Sequence, residues 1–262
     1  MAQAPRYREV ADDIREAILR EQTLLTVTLA DGAQLPTEPE LSSHFQVSRG
    51  TIRQALRELA AEGLIETRGR SGTYVRRLPM LEYNTDAEDP NRHDEEPGLT
   101  DTWFSVVKRS GRQPSQDFRF RIEPATTGVA SRLHVEINDL VVVRECIRHV
   151  NEIPWSEQVT YYPSPIAERC GLNTPHDVPE GTVRRMAARG VTEERLEHEI
   201  SSRPANDEER RRFELASGVS VLIYRRLGWS SGQPIRYTIE TLPADRNVIT
   251  HVTQRQDTTP DT

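Results

Sequence analysis

The sequence predicts an α+β protein of two domains, and three observations support this prediction. Segments with helix and strand periodicity alternate along 262 residues, enough chain for two ordinary cores. The stretch 79–98 holds seven acids and three prolines, which is typical of a solvated linker. Later strands are joined by hairpins and lie among separate helices, the pattern of a mainly antiparallel α+β domain. We expect domains at 1–77 and 99–251, a linker at 78–98 and a disordered tail at 252–262.

Composition argues against several classes of protein. No segment approaches the roughly 20 apolar residues that span a bilayer, and the first residues lack the apolar run of an export signal. We therefore expect a cytoplasmic protein with no membrane contact. Cys146 and Cys170 are the two cysteines, without the spacing of a disulfide framework or a zinc site. No metalloprotease, hydrolase or phosphate-loop motif occurs, so we expect no metal, no cofactor and no catalytic residue.

Positive charge is concentrated near the N-terminus, although the whole chain carries a formal charge of −7. Residues 48–77 contain seven arginines and three acids, a local charge of +4. DNA phosphates require such local positive charge on the protein that binds them. The asymmetry predicts a basic surface for nucleic acid in the first domain.

Three helices and a hairpin are predicted in this domain. The helices are predicted over 7–19, 37–44 and 48–63, and the two-stranded hairpin over 64–75. A small strand is also predicted at 24–29. Thr37 and Glu40 have the spacing of a capping box, and Ser48 is a good cap for the third helix. Two capped helices joined by a tight turn and followed by a basic hairpin predict a winged helix-turn-helix.

The third helix carries arginines on its outer face. Arg49, Arg53 and Arg57 are spaced at i, i+4 and i+8, opposite the apolar side chains. A guanidinium can bind guanine or phosphate through two parallel hydrogen bonds. Ser48, Gly50 and Thr51 are small, so backbone amides at the helix start can approach a phosphate. A solvated arginine face is the alternative, but the capped helices and basic hairpin favour a DNA-recognition helix.

These motifs resemble the GntR family of regulators. LPTEPEL (35–41), FQVSRGTIRQALRELAAEGLI (45–65) and GTYV (72–75) follow the family's LPSE-x-x-L, VSR-x-TVR-x-AL-x-x-L-x-x-GL and GTFV patterns in order. The resemblance implies a homodimer on an inverted-repeat operator, with the third helix in the major groove and the wing in the adjacent minor groove. The contacts that it implies are Ser48, Arg49, Thr51 and Arg53 on the helix, and Arg68, Gly69 and Arg70 in the wing.

The sequence departs from the family pattern at three places. Pro39 stands where many relatives have a DNA-contacting arginine, so that contact is expected to be missing. The wing has Gly69-Arg70-Ser71-Gly72 in place of Q-G-K-G, which shifts one glycine. The connection between the first two helices is longer than usual, so the small strand there is expected to be displaced.

Residues 99–251 resemble the effector domain of the HutC subfamily, called UTRA, which has a chorismate-lyase-like α+β fold. Three features carry this resemblance: Trp103-Phe104, the strand-hairpin-strand over 141–162 around Asn151-Glu152-Ile153-Pro154, and the hairpin at Gly232-Gln233-Pro234-Ile235. The resemblance implies a small-molecule effector. In the subfamily, arginines on the first of these strands and an acid beyond the proline line the effector pocket.

Arg144 and Arg148 are the candidate residues for binding the effector. Every second side chain of a strand points to the same face, so these two arginines share one face. Two guanidinium groups held close together favour an anionic effector. Glu157 beyond Pro154 and Glu240 on the last strand are the candidate acids, with Trp103 and Phe104 as further candidates for the pocket. An ordinary surface ion pair is the alternative for each charged residue.

The sequence thus predicts a DNA-binding transcriptional regulator that is not an enzyme. We expect repression, with operator binding modulated by a small molecule. Two alternatives stay open, namely a regulator controlled by a protein partner and, because the effector fold resembles a lyase, a lyase-like enzyme.

Overall fold

The computed structural model describes residues 5–76, 78, 80–84 and 102–252, and the chain divides into two compact units. The N-terminal unit comprises Met1–Met80, Arg203–Val221 and Pro243–Arg246. The sheet unit comprises Leu81–Ser202, Leu222–Leu242 and Asn247–Thr262. No helix in the described ranges has both the length and the apolar character that a membrane span requires.

Three helices form the core of the N-terminal unit, as predicted. They are α1 (Arg6–Leu19), α2 (Glu38–Phe45) and α3 (Arg49–Ala61). The buried Ile14, Ile52 and Leu59 belong to one apolar cluster, since residues three or four apart share a helix face. The capping box is present: the backbone N–H of Thr37 donates to Glu40 Oε2 at 2.7 Å.

The connection between α1 and α2 contains a very short hairpin where the sequence predicted one strand. β1 (Thr23–Leu24) and β2 (Val27–Thr28) pair in antiparallel fashion. Leu25 between them has a φ of 57°, a left-handed conformation that reverses the chain. The prediction of one strand over 24–29 is wrong for this reason.

The predicted wing is confirmed. β3 (Ile65–Thr67) and β4 (Thr73–Val75) are antiparallel, and a 3₁₀ turn at Gly69–Ser71 forms the tip. The segment before α2 lies along β4, where Leu35 N–H donates to the Thr73 carbonyl at 2.8 Å. Helices and wing together make a winged helix-turn-helix.

The remaining strands are β5 (Leu81–Asn84), β6 (Pro114–Pro124), β7 (Leu140–Val150), β8 (Ile153–Pro163), β9 (Arg195–Pro204), β10 (Ser220–Ser230), β11 (Gln233–Pro243) and β12 (Asn247–Thr250). The remaining helices are α4 (Thr102–Arg109), α5 (Thr127–Leu133), α6 (Ser164–Cys170), α7 (Thr182–Ala188) and α8 (Asp207–Arg212). Six strands form one sheet in the order β6-β7-β8-β11-β10-β9, and β6-β7, β7-β8 and β8-β11 pair antiparallel. The α+β fold class is therefore confirmed.

Helices cover both faces of this sheet. On one face, α5 packs with Val141 and Val143 of β7, as the alternation of the strand predicted. On the other, residues of α6 and α7 form a cluster with Val142 and Tyr162. Arg144 and Arg148 of β7 share this second face, so their surroundings depend on what the helices leave uncovered.

Several later elements differ from the sequence prediction. Leu81–Asn84, expected in the linker, pairs in parallel with β12, while 85–98 lies outside the described residues, as does 253–262 of the expected tail. The sequence also predicts a helix over 207–216, but α8 ends at Arg212, because Glu214 has a φ of 52°. Helices α4 and α6 were not predicted.

The segment around α8 belongs to the N-terminal unit although it lies far along the chain. Gly218 N–H donates to the carbonyl of Ala61, the last residue of α3, at 2.7 Å. Arg76 Nη2 donates to the carbonyl of Glu214 at 2.8 Å. The compact N-terminal unit therefore extends beyond the residues 1–77 expected for the first domain.

A buried ion pair requires glycine in the sheet unit. Arg236 donates to both carboxylate oxygens of Glu193, at 2.7 and 3.0 Å, and both side chains are buried. A Cβ on Gly228 would lie 2.0 Å from Glu193 Oε2. Because Arg236 holds the Glu193 carboxylate in place, the carboxylate cannot move away from such a Cβ without breaking the ion pair.

We expect Gly228→Ala to destabilise the sheet unit by about 1–3 kcal/mol, the usual range for overpacking a well-packed interior. All three tryptophans of the chain, Trp103, Trp155 and Trp229, lie in the sheet unit, so their fluorescence reports its unfolding in urea. Gly128→Ala in α5 is the control, because its Cβ would meet nothing within 4 Å. Equal midpoints for the two variants would contradict this account of Gly228.

Candidate DNA-binding surface and sheet cavity

The start of α3 presents an exposed polar surface. Ser48 caps the helix by accepting the Thr51 N–H at 3.1 Å, and Ser48, Arg49 and Gly50 are all exposed. Arg53 is 56% exposed and its Nε donates to Glu38 Oε2 of α2 at 3.0 Å. An exposed pair of this kind contributes little to stability, so the guanidinium can exchange its partner at small cost.

The wing carries a second exposed cation. Arg68 is 55% exposed, donates through Nε to Glu66 Oε1 at 2.6 Å, and lies over the ring of Tyr74 at 4.6 Å from its centroid. The backbone of Gly69 and Arg70 forms the 3₁₀ turn, while the Arg70 side chain lies outside the described part of the structure. The predicted DNA-contacting residues with described side chains are thus exposed or partly exposed on α3 and the wing.

A cavity of about 220 Å³ opens on the polar face of the sheet. Strands β6, β7 and β8 form its floor, and α4 and the loop before α7 form its walls. Its lining comprises Phe104, Gln116, Phe118, Arg144, Cys146, Gln158, Thr160, Tyr162, Asp177, Val178, Pro179, Gly181 and Thr182.

A β-bulge decides which residues of β8 face this cavity. At the hairpin end, Val150 is opposite Ile153 and His149 is opposite Pro154, but Arg148 is opposite Ser156, so one residue is inserted. Because strand side chains alternate, this insertion exchanges the two faces of β8 relative to β7. Gln158 and Thr160 therefore lie on the arginine face, opposite Cys146 and Arg144.

The same bulge places Glu157 on the other face, opposite Ile147. The sequence offered Glu157 as the acid that would line the pocket with the two arginines. The structure does not bring Glu157 to the cavity or to the face of the sheet that carries the two arginines. Glu240 takes that position instead, because it is opposite Gln158 in the β8-β11 pair.

Arg144 is buried at the cavity wall with neutral hydrogen-bond partners. Its Nη1 donates to the carbonyls of Leu172 and Thr174, both at 3.1 Å, and its Nη2 donates to that of His176 at 2.9 Å. Asp177 Oδ1 is 3.8 Å from Nη2, beyond hydrogen-bond distance. Burial lowers the pKa of the Arg144 guanidinium below its ordinary value. Carbonyl groups orient this cation, and the half-exposed Asp177 is its nearest carboxylate.

Arg148 lies beside a buried carboxylate that it shares with Arg226. Glu240 Oε2 accepts from Arg226 Nη2 at 2.8 Å, and its Oε1 is 3.5 Å from Arg148 Nη1. Arg148 and Arg226 also both donate to Gln158 Oε1, at 3.1 and 3.2 Å. This network of Arg148, Arg226, Glu240 and Gln158, which we call the Glu240 network, fixes the amide of Gln158 at the cavity floor.

Aromatic side chains complete the surroundings of both arginines. Trp103 is buried, and Arg148 lies over its ring at 5.1 Å from the centroid. Phe118 lies under Arg144 at 4.4 Å, and Phe104 lines the cavity. The burial of Tyr83 raises the pKa of its hydroxyl, and the nearby Glu240 charge raises it further.

Of the six predicted effector residues, Phe104 and Arg144 line the cavity directly. Trp103, Arg148 and Glu240 lie beside or behind it, and Glu157 lies on the opposite face. Gln116, Gln158, Thr160 and the loop 177–182 were not predicted. Alternation along β8 could have offered Gln158 and Thr160 only if the bulge had been known, whereas nothing local marks the loop as part of a cavity.

Family models match both parts of the chain. The model described as "Bacterial regulatory proteins, gntR family" matches residues 6–75, and the UTRA domain model matches 110–247, more than half of the chain. The chain belongs to the GntR family and carries a UTRA domain. It is a transcriptional regulator, and the predicted family assignment is confirmed.

Curated relatives of this GntR regulator include two bacterial proteins. The mannosyl-D-glycerate transport/metabolism system repressor MngR of Escherichia coli (strain K12) is 32% identical over 163 residues, 62% of this chain and 60% of MngR. The uncharacterized HTH-type regulator RB1450 of Rhizobium meliloti (strain 1021) is 28% identical over 92% of this chain and 91% of its own length. A crystal structure described as a GntR-family transcriptional regulator has a TM-score of 0.66 and 24% identity, covering 97% of this chain and 99% of that one, which shows the shared fold.

We expect Glu240→Gln to destabilise the sheet unit by about 3–5 kcal/mol, because it leaves Arg148 and Arg226 buried without their carboxylate. Urea unfolding followed by tryptophan fluorescence measures the change. Glu157→Gln is the matched control, since it also removes one carboxylate charge, but from the face of the sheet opposite to Glu240. If both substitutions lower the midpoint equally, Glu240 does not have this role.

Proposed function

We propose that this regulator represses transcription as a homodimer bound to an inverted-repeat operator, and that an anionic small molecule in the UTRA cavity controls that binding. The observation that carries the proposal is a DNA-binding unit with exposed arginines in the same chain as a cavity whose Arg144 has only neutral hydrogen-bond partners. We assign the chain no catalytic role and place it in the cytoplasm.

In the proposed complex, α3 enters the major groove with its N-terminal turn foremost. Ser48, Gly50 and Thr51 bring the first backbone amides of the helix to a phosphate, where the positive end of the helix dipole assists. Arg49 and Arg53 approach base edges or phosphates, with Arg53 exchanging Glu38 for DNA. Pro39 contributes no such contact, since its side chain has no hydrogen-bond donor.

The wing is proposed to reach the adjacent minor groove through Arg68, Gly69 and Arg70. Arginine suits this position because narrow minor grooves concentrate negative potential. The ring of Tyr74 supports the Arg68 guanidinium while leaving it more than half exposed.

A homodimer is proposed because one recognition helix contacts too few base pairs to be selective in a genome. Two-fold symmetry of the protein then requires an inverted repeat in the operator. Residues 99–251 are the proposed dimerisation region. A monomeric mass at micromolar concentration, or protection of one asymmetric half-site in a footprint, would contradict this part of the proposal.

The effector is proposed to carry a carboxylate or phosphate that binds near Arg144. The buried Glu240 lies between Arg148 and Arg226, whereas Arg144 donates its hydrogen bonds to carbonyls and has the half-exposed Asp177 at 3.8 Å, so an incoming anion can approach it from the cavity. Gln158 adds a fixed amide at the cavity floor, and Thr160 and Thr182 add hydroxyls to its lining. Control by a protein partner predicts no stabilisation by anionic metabolites, whereas a bound effector raises the melting temperature by mass action.

We expect Arg49→Ala and Arg53→Ala each to weaken operator binding by about 1–3 kcal/mol if the arginine contacts a base edge, while a phosphate contact lowers the salt dependence. The operator is obtained by sequencing genomic fragments retained by the purified chain. Affinities are measured at two salt concentrations. Arg20→Ala is the control, because it removes one exposed charge at the residue that follows α1. The docking of α3 is wrong if both variants bind like Arg20→Ala.

A further inference from the structure

The tip of the wing is held by a side chain from outside the hairpin. Gln34 lies in the segment before α2, and its backbone pairs with Tyr74 of β4. Its Nε2 donates to the carbonyl oxygen of Ser71 at 3.0 Å. The Tyr74 hydroxyl donates to the same oxygen at 2.9 Å. Two side chains thus fix the last residue of the 3₁₀ turn relative to β4.

Glycine at position 72 permits this close approach. Gly72 has a φ of 113°, a conformation that L side chains rarely adopt, and a Cβ there would lie 2.6 Å from Gln34 Nε2. The turn itself is closed by backbone hydrogen bonds, since Ser71 N–H donates to the Arg68 carbonyl and Arg68 N–H to the Gly72 carbonyl, both at 2.9 Å. Gln34 therefore stabilises a turn that Gly72 makes possible.

Tyr74 connects this arrangement to Arg68. The ring that supports the Arg68 guanidinium is anchored by its hydroxyl to the Ser71 carbonyl. A tyrosine without that anchor keeps more side-chain freedom, and the cation above it is then less well placed. The position of Arg68 thus depends on the carbonyl that Gln34 also binds.

We infer that Gln34 is a positioning residue for DNA binding, which fixes the wing turn and, through Ser71 and Tyr74, directs Arg68 toward the minor groove. Gln34 precedes the three sequence motifs that resemble the family pattern. The inference rests on the proposed contact between Arg68 and DNA. Because arginine favours narrow A·T-rich minor grooves, Gln34 supports selection of A·T pairs beside the bases that α3 contacts.

The test uses the full chain and a pool of DNA duplexes with a randomised centre. Gln34→Met keeps the length of the side chain and removes the donor. This variant is expected to select the same central bases as the parent and to lose the flanking A·T preference. Its affinity for the duplex that the parent selects should fall about three- to tenfold, as for loss of one hydrogen bond that orders a contact.

Two further variants sharpen this expectation. Tyr74→Phe keeps the ring under Arg68 and removes the second donor, so it should weaken the same flanking preference. Gln22→Met, an exposed glutamine of the N-terminal unit, should behave as the parent does. Melting curves for all variants should coincide with that of the parent, because a loss of selection with intact folding distinguishes positioning from general stability.

Arg68→Ala separates this inference from the proposed wing contact. If Arg68→Ala retains the flanking preference, the contact is wrong and the role of Gln34 falls with it. If Arg68→Ala loses the preference while Gln34→Met retains it, the contact stands and the positioning role is overturned. In the double variant Gln34→Met/Arg68→Ala, the losses of binding free energy should not add, because both substitutions act through Arg68. Additive losses would contradict that route.

Discussion

The polar face of the sheet depends on how one carboxylate, Glu240, compensates buried positive charge. Taking an ion out of water costs several kcal/mol, so a buried arginine needs an acid or a full set of hydrogen bonds. Glu240 pairs with both Arg148 and Arg226 and leaves Gln158 held between them, so one carboxylate is shared by two buried cations. Arg144 receives carbonyl oxygens instead, with Asp177 as the nearest carboxylate at 3.8 Å, and we propose that its charge attracts a ligand at the cavity wall. This division of roles leaves Arg144 and Asp177 as the charged residues of the cavity lining.

The bulge after Arg148 makes that division possible. Without the inserted residue, the odd-numbered side chains of β8 would face the arginines, and Glu157 would compete with Glu240 for them. With it, Ser156, Gln158 and Thr160 face the cavity side, while Glu157 lies across the sheet. A single backbone irregularity near a two-residue turn therefore sets both the chemistry of the cavity floor and the counter-ion of Arg148.

Local signals predicted most of the fold. The capping box at Thr37, the cap at Ser48 and the alternation along β7 predicted elements that the structure contains, because each depends on residues close in sequence. Helix α6 was missed although Pro165 near its start and Gly171 after its end are ordinary helix boundaries. The pairing of β5 with β12 joins residues far apart in the chain, so no local pattern could predict it.

The candidate site was predicted less completely, for the same physical reason. Arg144 and Phe104 line the cavity, but the position of Glu157 depended on strand register, and the loop 177–182 reaches the cavity only through tertiary packing. In the wing, Gly72 was visible in the sequence as the first residue of GTYV. Its consequence, a turn held by Gln34, required the contact between two segments that the sequence separates.

The central claim is that Arg144 gives the cavity a positive potential, and Cys146 in its lining allows a direct measurement. Methanethiosulfonate reagents of similar size and opposite charge are reacted with Cys146 in a Cys170→Ala background, and the two rates are compared. The account predicts that the anionic reagent reacts several-fold faster and that Arg144→Gln removes this preference, whereas Arg121→Gln, an arginine facing away on β6, leaves it unchanged. Faster reaction of the cationic reagent, or a ratio unaffected by Arg144→Gln, would contradict the claim.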